Sequence, residues 1–156
     1  MSRLVAAAIC LLCSPFAAIM HAQDAPVPLA ERARGAERVV VGHVTAVNPT
    51  WQTNEFGDRL IVSVVSVVVD ETLRGQVAPT VDVEVEGGTI GDVTLHVSDL
   101  EPVAPGDRAV FYLVRRRGAF VPHLRGQGVL KLDRSDRVRN SAVTLADIRR
   151  AAGQAR

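Results

Sequence analysis

From Leu60 to Val69 the chain carries eight aliphatic residues and two serines, and six of the ten are valine. Branching at Cβ restricts χ1 and suits a pleated, packed surface better than a helix. No polar residue falls at helical spacing to make a wet face, so the run predicts a strand. Ten strand residues cover about 33 Å, beyond the usual length of about five or six residues. The two faces are Leu60, Val62, Val64, Ser66, Val68 and Ile61, Ser63, Val65, Val67, Val69. Both are mostly apolar, which predicts a central, strongly curved strand covered on both sides and stopping at Leu73-Arg74-Gly75.

The rest of the sequence arranges itself around that strand. Glu37 to Val47 predicts an earlier strand with Gly42 inside it, where a glycine marks a bulge, a bend or close backbone approach. Asn48 to Asp58 is polar, holds Pro49 and Gly57, and predicts a connecting loop that carries Trp51 and Phe56. Thr80 to Glu86 alternates strictly, with Val81, Val83 and Val85 inward and Asp82, Glu84 and Glu86 outward. Gly87-Gly88 predicts a turn, and Asp92 to Val97 a short strand. Pro105-Gly106-Asp107 is a further turn signal. Arg108 to Arg115 places Ala109, Phe111 and Leu113 on one face and Val110, Tyr112 and Val114 on the other. Gly118 turns the chain into Ala119 to Leu124, and Val129 to Leu132 is a last strand. Leu29 to Arg34 predicts one or two helical turns. Thr144, with Asp147 three residues on, opens a terminal helix through a capping-box arrangement.

These segments predict a mainly β fold: a small closed or partly open barrel of the oligonucleotide/oligosaccharide-binding (OB) type. It has five to seven mostly antiparallel strands, a short N-terminal helix and a C-terminal helix. Closure buries strand edges that would otherwise invite pairing with other chains. The expected division is a signal peptide at 1–22, a lead and short helix at 23–36, the barrel at 37–142 and the C-terminal helix and tail at 143–156.

Met1 to Ala22 reads as a secretory signal: Arg3 supplies the positive start, Leu4 to Met20 the apolar run, and Ala22 a small residue before the cut. The chain is therefore expected to be exported, to a periplasm or to the medium, with no transmembrane segment after cleavage. Cys10 and Cys13 both lie inside this segment, preceded by Ile9 and Leu12 rather than the small residue that lipid attachment needs. Removing 22 of the 156 residues leaves 134 without cysteine, enough for one domain held by its core alone.

Charge is unevenly spread. Residues 23–107 carry five arginines against fourteen acids, net −9, while residues 108–156 carry eleven arginines and Lys131 against three aspartates, net +9. Two readings are open. Neighbouring strands of opposite sign pair across the folded surface, or the arginine-rich half is a face for an anionic partner.

The order Glu37-Arg38-Val39-Val40-Val41-Gly42-His43-Val44, Arg59 to Val69, Leu73-Arg74-Gly75, Gly87-Gly88, Pro105-Gly106-Asp107, Phe111-Tyr112-Leu113 and Gly126-Gln127-Gly128 resembles small exported bacterial proteins of unassigned function. It also resembles, more distantly, the netrin-like module of tissue inhibitors of metalloproteinases. The resemblance covers residues 37 to 132 and implies an OB-type barrel with flanking helices. Those inhibitors place an N-terminal cysteine on the protease zinc and are cross-linked by disulfides. Here the processed chain starts at Gln23 and holds no cysteine, so the resemblance implies the fold and not the inhibitory wedge.

Chemistry-bearing motifs are sparse. His43 sits mid-strand and reads as a packed or hydrogen-bonded residue. His96 and His123 would form a metal or hydrolytic site with Asp92 or Asp99 only if their strands converge. Ser63 and Ser66 read as small residues at a bend, and Ser98 beside Asp99 is adjacency, not triad geometry. Gly87 to Gly91 is glycine-rich, but no lysine follows, which excludes a P-loop. Glu84 and Glu86 read as a solvated acidic row. Arg115, Arg116, Arg117 and Arg125 are the expected anion- or partner-binding residues, with Trp51 and Phe56 as exposed loop contacts. Basic residues without a row of exposed stacking aromatics argue against nucleic acid.

The resulting expectation is a non-enzymatic exported binding module without metal or cofactor, acting on a protein partner such as a peptidase. The alternatives are an arginine-rich module for polyanions and, last, a metal-dependent hydrolase.

Overall fold

The computed structural model describes residues 26–155, so the segment 1–22 expected to be a signal peptide lies outside the described residues. Ten regular elements follow one another: helix α1 (Leu29–Gly35), strands β1 (Arg38–Thr53), β2 (Arg59–Arg74), β3 (Thr80–Glu86), β4 (Gly88–Ile90), β5 (Val93–Leu95), β6 (Arg108–Arg116), β7 (Ala119–Pro122) and β8 (Val129–Lys131), and helix α2 (Leu145–Gln154). A 3-10 turn, Arg125–Gly128, leads into β8.

Six strands form one mostly antiparallel sheet in the order β1-β2-β3-β7-β6-β8, and β1 also pairs with β6. That extra pairing rolls the sheet into a near-closed ring, β1-β2-β3-β7-β6 and back to β1. The ring is thinnest at β3 and β7, which run parallel and share a single bridge, Val83 to Phe120. β4 and β5 stand apart as a two-stranded ribbon.

Alternation along β1 and β6 supplies two cores. Val40, Val44, Ala109, Phe111 and Leu113 point into the ring, where Val65, Val67, Val81, Val83, Val85 and Phe120 meet them. Val39, Val41, Val110 and Tyr112 point outward, under Ala33 of α1 and Leu145, Ile148 and Ala152 of α2. Thr144 caps α2, accepting from the Asp147 amide while the Asp147 carboxylate accepts from the Thr144 amide. Arg32 is 5 % exposed and anchors α1 by donating to the Gln127 carbonyl at 2.7 Å and the Val27 carbonyl at 3.0 Å. Its guanidinium lies 5.6 Å from the centre of the Tyr112 ring. Burial lowers the Arg32 pKa and pushes the Tyr112 hydroxyl up to about 12, against the pull of the Arg32 charge.

β1 needs Gly42. The register slips between Val41 and Gly42, and a Cβ there would stand 2.4 Å from the Val68 carbonyl oxygen and 2.6 Å from Val67 Cγ1. Of the two other slips, at Val39/Val40 and Val44/Ala46, the latter leaves Thr45 as the extra residue of a bulge and returns Val47 to the inner side.

Several expectations change. The span Asn48–Asp58 is not a loop: β1 runs to Thr53, and only Asn54 to Asp58 turn. The reversal is fixed by the Asn54 side-chain oxygen, which accepts from the Phe56 amide at 2.9 Å and the Asp58 amide at 2.8 Å. Pro49 is tolerated because β1 has left β6 behind at His43 and is an edge strand from there on, where a missing N–H breaks no ladder. β2 is not covered on both sides. Ile61, Ser63, Val65 and Val67 are buried on one face, while on the other only Val62 is buried, Leu60, Val64 and Ser66 are half-buried and Val68 is exposed. The helices lie over β1 and β6 and leave the middle of β2 bare. Gly87-Gly88 is a kink between β3 and β4, and the reversal falls at Gly91-Asp92 inside the ribbon. The Asp92–Val97 strand shrinks to Val93–Leu95 and pairs outside the ring.

Candidate functional site

Beyond its pairing with β6, β1 continues with β2 as a hairpin whose end, from Trp51–Ile61 out to Thr53–Arg59, runs past the last β2–β3 pair. On the other side of the ring β6 and β7 meet in a turn at Arg117-Gly118, both with positive φ (50° and 89°), the signature of a tight two-residue hairpin. The hairpin tip, the bare outer face of β2 and β3, and the β6–β7 turn enclose a groove of about 510 Å³. It continues along β7 into a second recess of about 330 Å³ floored by Val121, Pro122, Leu124 and Leu100. Glu84, Glu86, Arg116 and Val121 line both parts, so the two form one trough along the seam of the ring.

The four arginines expected to bind a partner all lie at this end, in different circumstances. Arg117 pairs with Glu55 of the hairpin tip at 2.8 Å, which joins the two walls of the groove. Arg125 reaches Glu86 at 3.1 Å and Asp99 at 3.5 Å. Arg115 places its guanidinium 4.3 Å from the centre of the Phe120 ring, donates to the Gly118 carbonyl at 2.9 Å and stands 3.8 Å from Glu37. Arg116 has no ion pair and no side-chain hydrogen bond among the described residues. Every carboxylate met by the other three comes from the acidic half of the chain, so the opposed halves neutralise one another across the fold. Exposed pairs of this kind contribute little to stability, and they also leave little unopposed positive charge.

Of the two aromatics, Trp51 lies on β1 rather than in a loop, with the Arg59 guanidinium 4.4 Å from its ring centre. Phe56 is 81 % exposed at the tip of the hairpin.

The histidines do not converge. His96 borders a cavity of about 80 Å³ beneath the β4–β5 ribbon, while His123 lies in the recess along β7. Asp99 is drawn to Arg125, and Asp92 sits at the ribbon's reversal. Among the described residues no three His, Cys, Asp or Glu side chains are placed to hold a metal ion. Burial lowers the His123 pKa, aided by the charges of Arg116 and Arg32. His43 Nδ1 bonds to the Asp70 carboxylate at 3.1 Å, and Asp70 also faces Arg108. Ser63 donates to the Gly87 carbonyl at 2.7 Å and Ser66 to the Asp82 carboxylate at 2.7 Å, so each hydroxyl braces neighbouring backbone or strand.

Compared with models of known protein families and with curated proteins, the sequence matches none. Among the described residues no helix is long and apolar enough to cross a membrane.

Glu84 and Glu86, expected only as a solvated acidic row, line the trough. Alternation on β3 marks them as outward, which is correct, but outward here means facing Arg116 and Arg125 across the trough. The signal available was the opposite sign of the β6–β7 turn; what it lacked was the parallel seam that brings the two together.

Proposed function

We propose that this chain is an exported, non-enzymatic binding module on an OB-type barrel, recognising a protein partner through the trough between the β1–β2 hairpin and the β6–β7 turn. Numbering only the five ring strands in chain order, the ring runs 1-2-3-5-4-1 with the third and fifth parallel. That order supports the OB-type reading and the distant resemblance to the netrin-like module. The observation that carries the functional reading is the trough of about 510 Å³ bounded by the two loops and the second and third strands. That is the face on which OB-type barrels receive their ligands.

The charge of the trough separates a protein partner from a polyanion. Glu55, Glu84 and Glu86 line it beside Arg116, Arg117 and Arg125. A chain of phosphates or sulfates would have to displace or repel three carboxylates to reach the arginines. A protein surface carries both signs and matches both.

Photo-crosslinkable residues at Leu60 and Val121, tested in the native exported fraction, are expected to capture one defined protein, and the same group at Glu71 on the far side to capture none. A reading without a protein partner requires that neither groove position give a crosslink. A heparin column separates the alternative. Retention abolished when Arg115, Arg116 and Arg117 are all replaced by Ser, and weakening steeply with salt, would replace this proposal with the polyanion one.

A further inference from the structure

The outer face of β2 carries the reading further and rests on the proposal above. Leu60 and Val62 belong to the trough, and Val64, Ser66 and Val68 continue the same face beyond it. Residues directly opposed on paired strands share a face, so the two flanks of this stripe follow from the register. On one flank Val62, Val64 and Ser66 meet Thr50, Asn48 and Ala46 of β1, a neutral row. On the other they meet Glu86, Glu84 and Asp82 of β3, an acidic row. Glu86 is taken by Arg125 and Asp82 accepts from the Ser66 hydroxyl, but neither Asp82 nor Glu84 has an ion pair among the described residues. From Val62 to Val68 both edges of β2 are already paired, with β1 and with β3, so an occupant here lies on the face.

The chain itself shows what such a face receives. Over β1 and β6, α2 joins Leu145, Ile148 and Ala152 to Val39, Val41 and Val110 in one core. From the flank of the same helix Arg149 reaches Glu71 of β2 at 2.7 Å. The middle of β2 offers the same two elements, an apolar stripe and acids along one side, and no helix of this chain covers it. A helix about 10 Å across spans two strand spacings of about 4.8 Å, so one laid along β2 also overhangs β3.

We infer that the outer face of β2 docks an amphipathic helix of a protein partner, its apolar stripe along Val62 to Val68 and its basic flank over Asp82 and Glu84. The stretch from Val62 to Val68 is about 20 Å long, which about thirteen helical residues cover. A helix with an acidic flank meets the row on β3 with like charge, and turning it end for end sets its charges over the neutral row on β1, where nothing opposes them.

Four blocked peptides of about sixteen residues test this on the purified protein. The first is a stapled helix with a stripe of Leu, Lys along one flank, and Ala and Gln elsewhere. The second has Glu for Lys, the third has Gln for Leu, and the fourth is the first without its staple and with Pro at its centre, which breaks the helix. Backbone amide shifts locate the site, and titrations give Kd. The Lys helix is expected to bind at least about tenfold more tightly than the other three, a difference of about 1.4 kcal/mol, with the shifts centred on Val62 to Val68 and Asp82 to Glu84. Glu84→Lys is expected to move the preference to the Glu helix, and Val68→Ser to weaken binding of the Lys helix. Asp82→Lys, at an exposed position, carries the same expectation as Glu84→Lys, and thermal unfolding of each variant confirms that the fold is kept. The inference is overturned if the Glu helix, the Gln helix or the broken peptide binds as tightly as the Lys helix, or if the charge reversals leave the preference unchanged. It is overturned too if the shifts fall off this face, if the same signals move with protein concentration alone, or if no peptide shifts them. In each of those cases crosslinking from Leu60 and Val121 decides the binding-module reading separately.

Discussion

At its start β1 holds Val40 inside the ring and Val39 and Val41 beneath the two helices, all three no more than 1 % exposed. Farther along, the same strand carries Trp51, Gln52 and Thr53 with β2 on one side, the groove beneath and solvent beyond. The first region is an apolar seal between ring and helices; the second is a two-stranded blade edged with charge. Gly42 lies just before β1 parts from β6 at His43, and its register slip lets the strand pass close against Val68 while Val44 still points into the ring. The contrast shows how a single strand is divided between holding the domain together and presenting a surface, the division falling where the pairing with β6 ends.

The largest effect is expected in the sealed region. Leu145 is fully buried under β1 and β6, and Leu145→Ala should cost about 3 kcal/mol through lost transfer and an unfilled cavity. Urea unfolding measures it; a cost below about 1 kcal/mol would mean that α2 is not sealing the ring. Gly42→Val is expected to destabilise by more than about 2 kcal/mol, because its side chain would collide with the Val68 carbonyl rather than with a flexible group. A neutral result would show that the strand does not need to bend there.

Much of the sealed region was legible in sequence. Valine alternation in β3, the two faces of Arg108 to Val114, the Thr144–Asp147 cap and the need for Gly42 all rest on local rules, and local rules hold where packing agrees with them. The blade was not legible. Pro49, Asn54 and Gly57 give strong loop signals, yet Pro49 only rules out a central strand. Whether the tail of β1 is an edge depends on where β6 stops, which no local window contains. The trough was invisible for the same reason: Glu84 and Arg116 are brought together by the seam and not by spacing.

Smaller effects sharpen the comparison. Lys131 is 7 % exposed, paired with Asp107 at 2.8 Å and Glu101 at 3.3 Å, and this cluster ties the Glu101–Asp107 loop to β8. Burial pushes the Asp107 carboxyl up, but the Lys131 hydrogen bond, the Ala104 amide and the charges of Lys131 and Arg139 outweigh it and hold its pKa below the ordinary value. A depressed carboxyl contributes stability that is present above the unfolded pKa of about 3.9 and is lost as pH falls through the folded value. Stability against pH should therefore fall on the acid side, and Asp107→Asn should flatten that limb while lowering the plateau.

His123 shifts in the destabilising sense for its charged form. Its pKa is lowered by burial and by Arg116 and Arg32, so the unfolded chain binds the proton more readily. Stability is complete above the ordinary histidine value of about 6.5 and declines as pH drops below it. Ring-proton titration should place His123 below that value, and Arg116→Glu should move it up. An unchanged titration would separate His123 from the trough. The smallest effect is expected at the tip: Phe56→Ser should alter stability by less than about 0.5 kcal/mol, since Phe56 is 81 % exposed. A loss beyond about 1 kcal/mol in the same urea experiment would mean the blade is packed after all.

The single bridge between Val83 and Phe120 also sets an order in time. The β1–β2 hairpin reverses over a few residues and can form from local encounters on the microsecond scale. The pairing of Arg38 with Leu113 joins points about half the chain apart and must await a long loop closure. The β3–β7 bridge closes a shorter loop but adds only one link, in the parallel sense. The ring is therefore a hairpin first and a barrel last, and its thinnest join is the first place it can come undone. Amide exchange should find that the Phe120 end of β7 opens to solvent ahead of β1 and β2, without the rest of the domain unfolding.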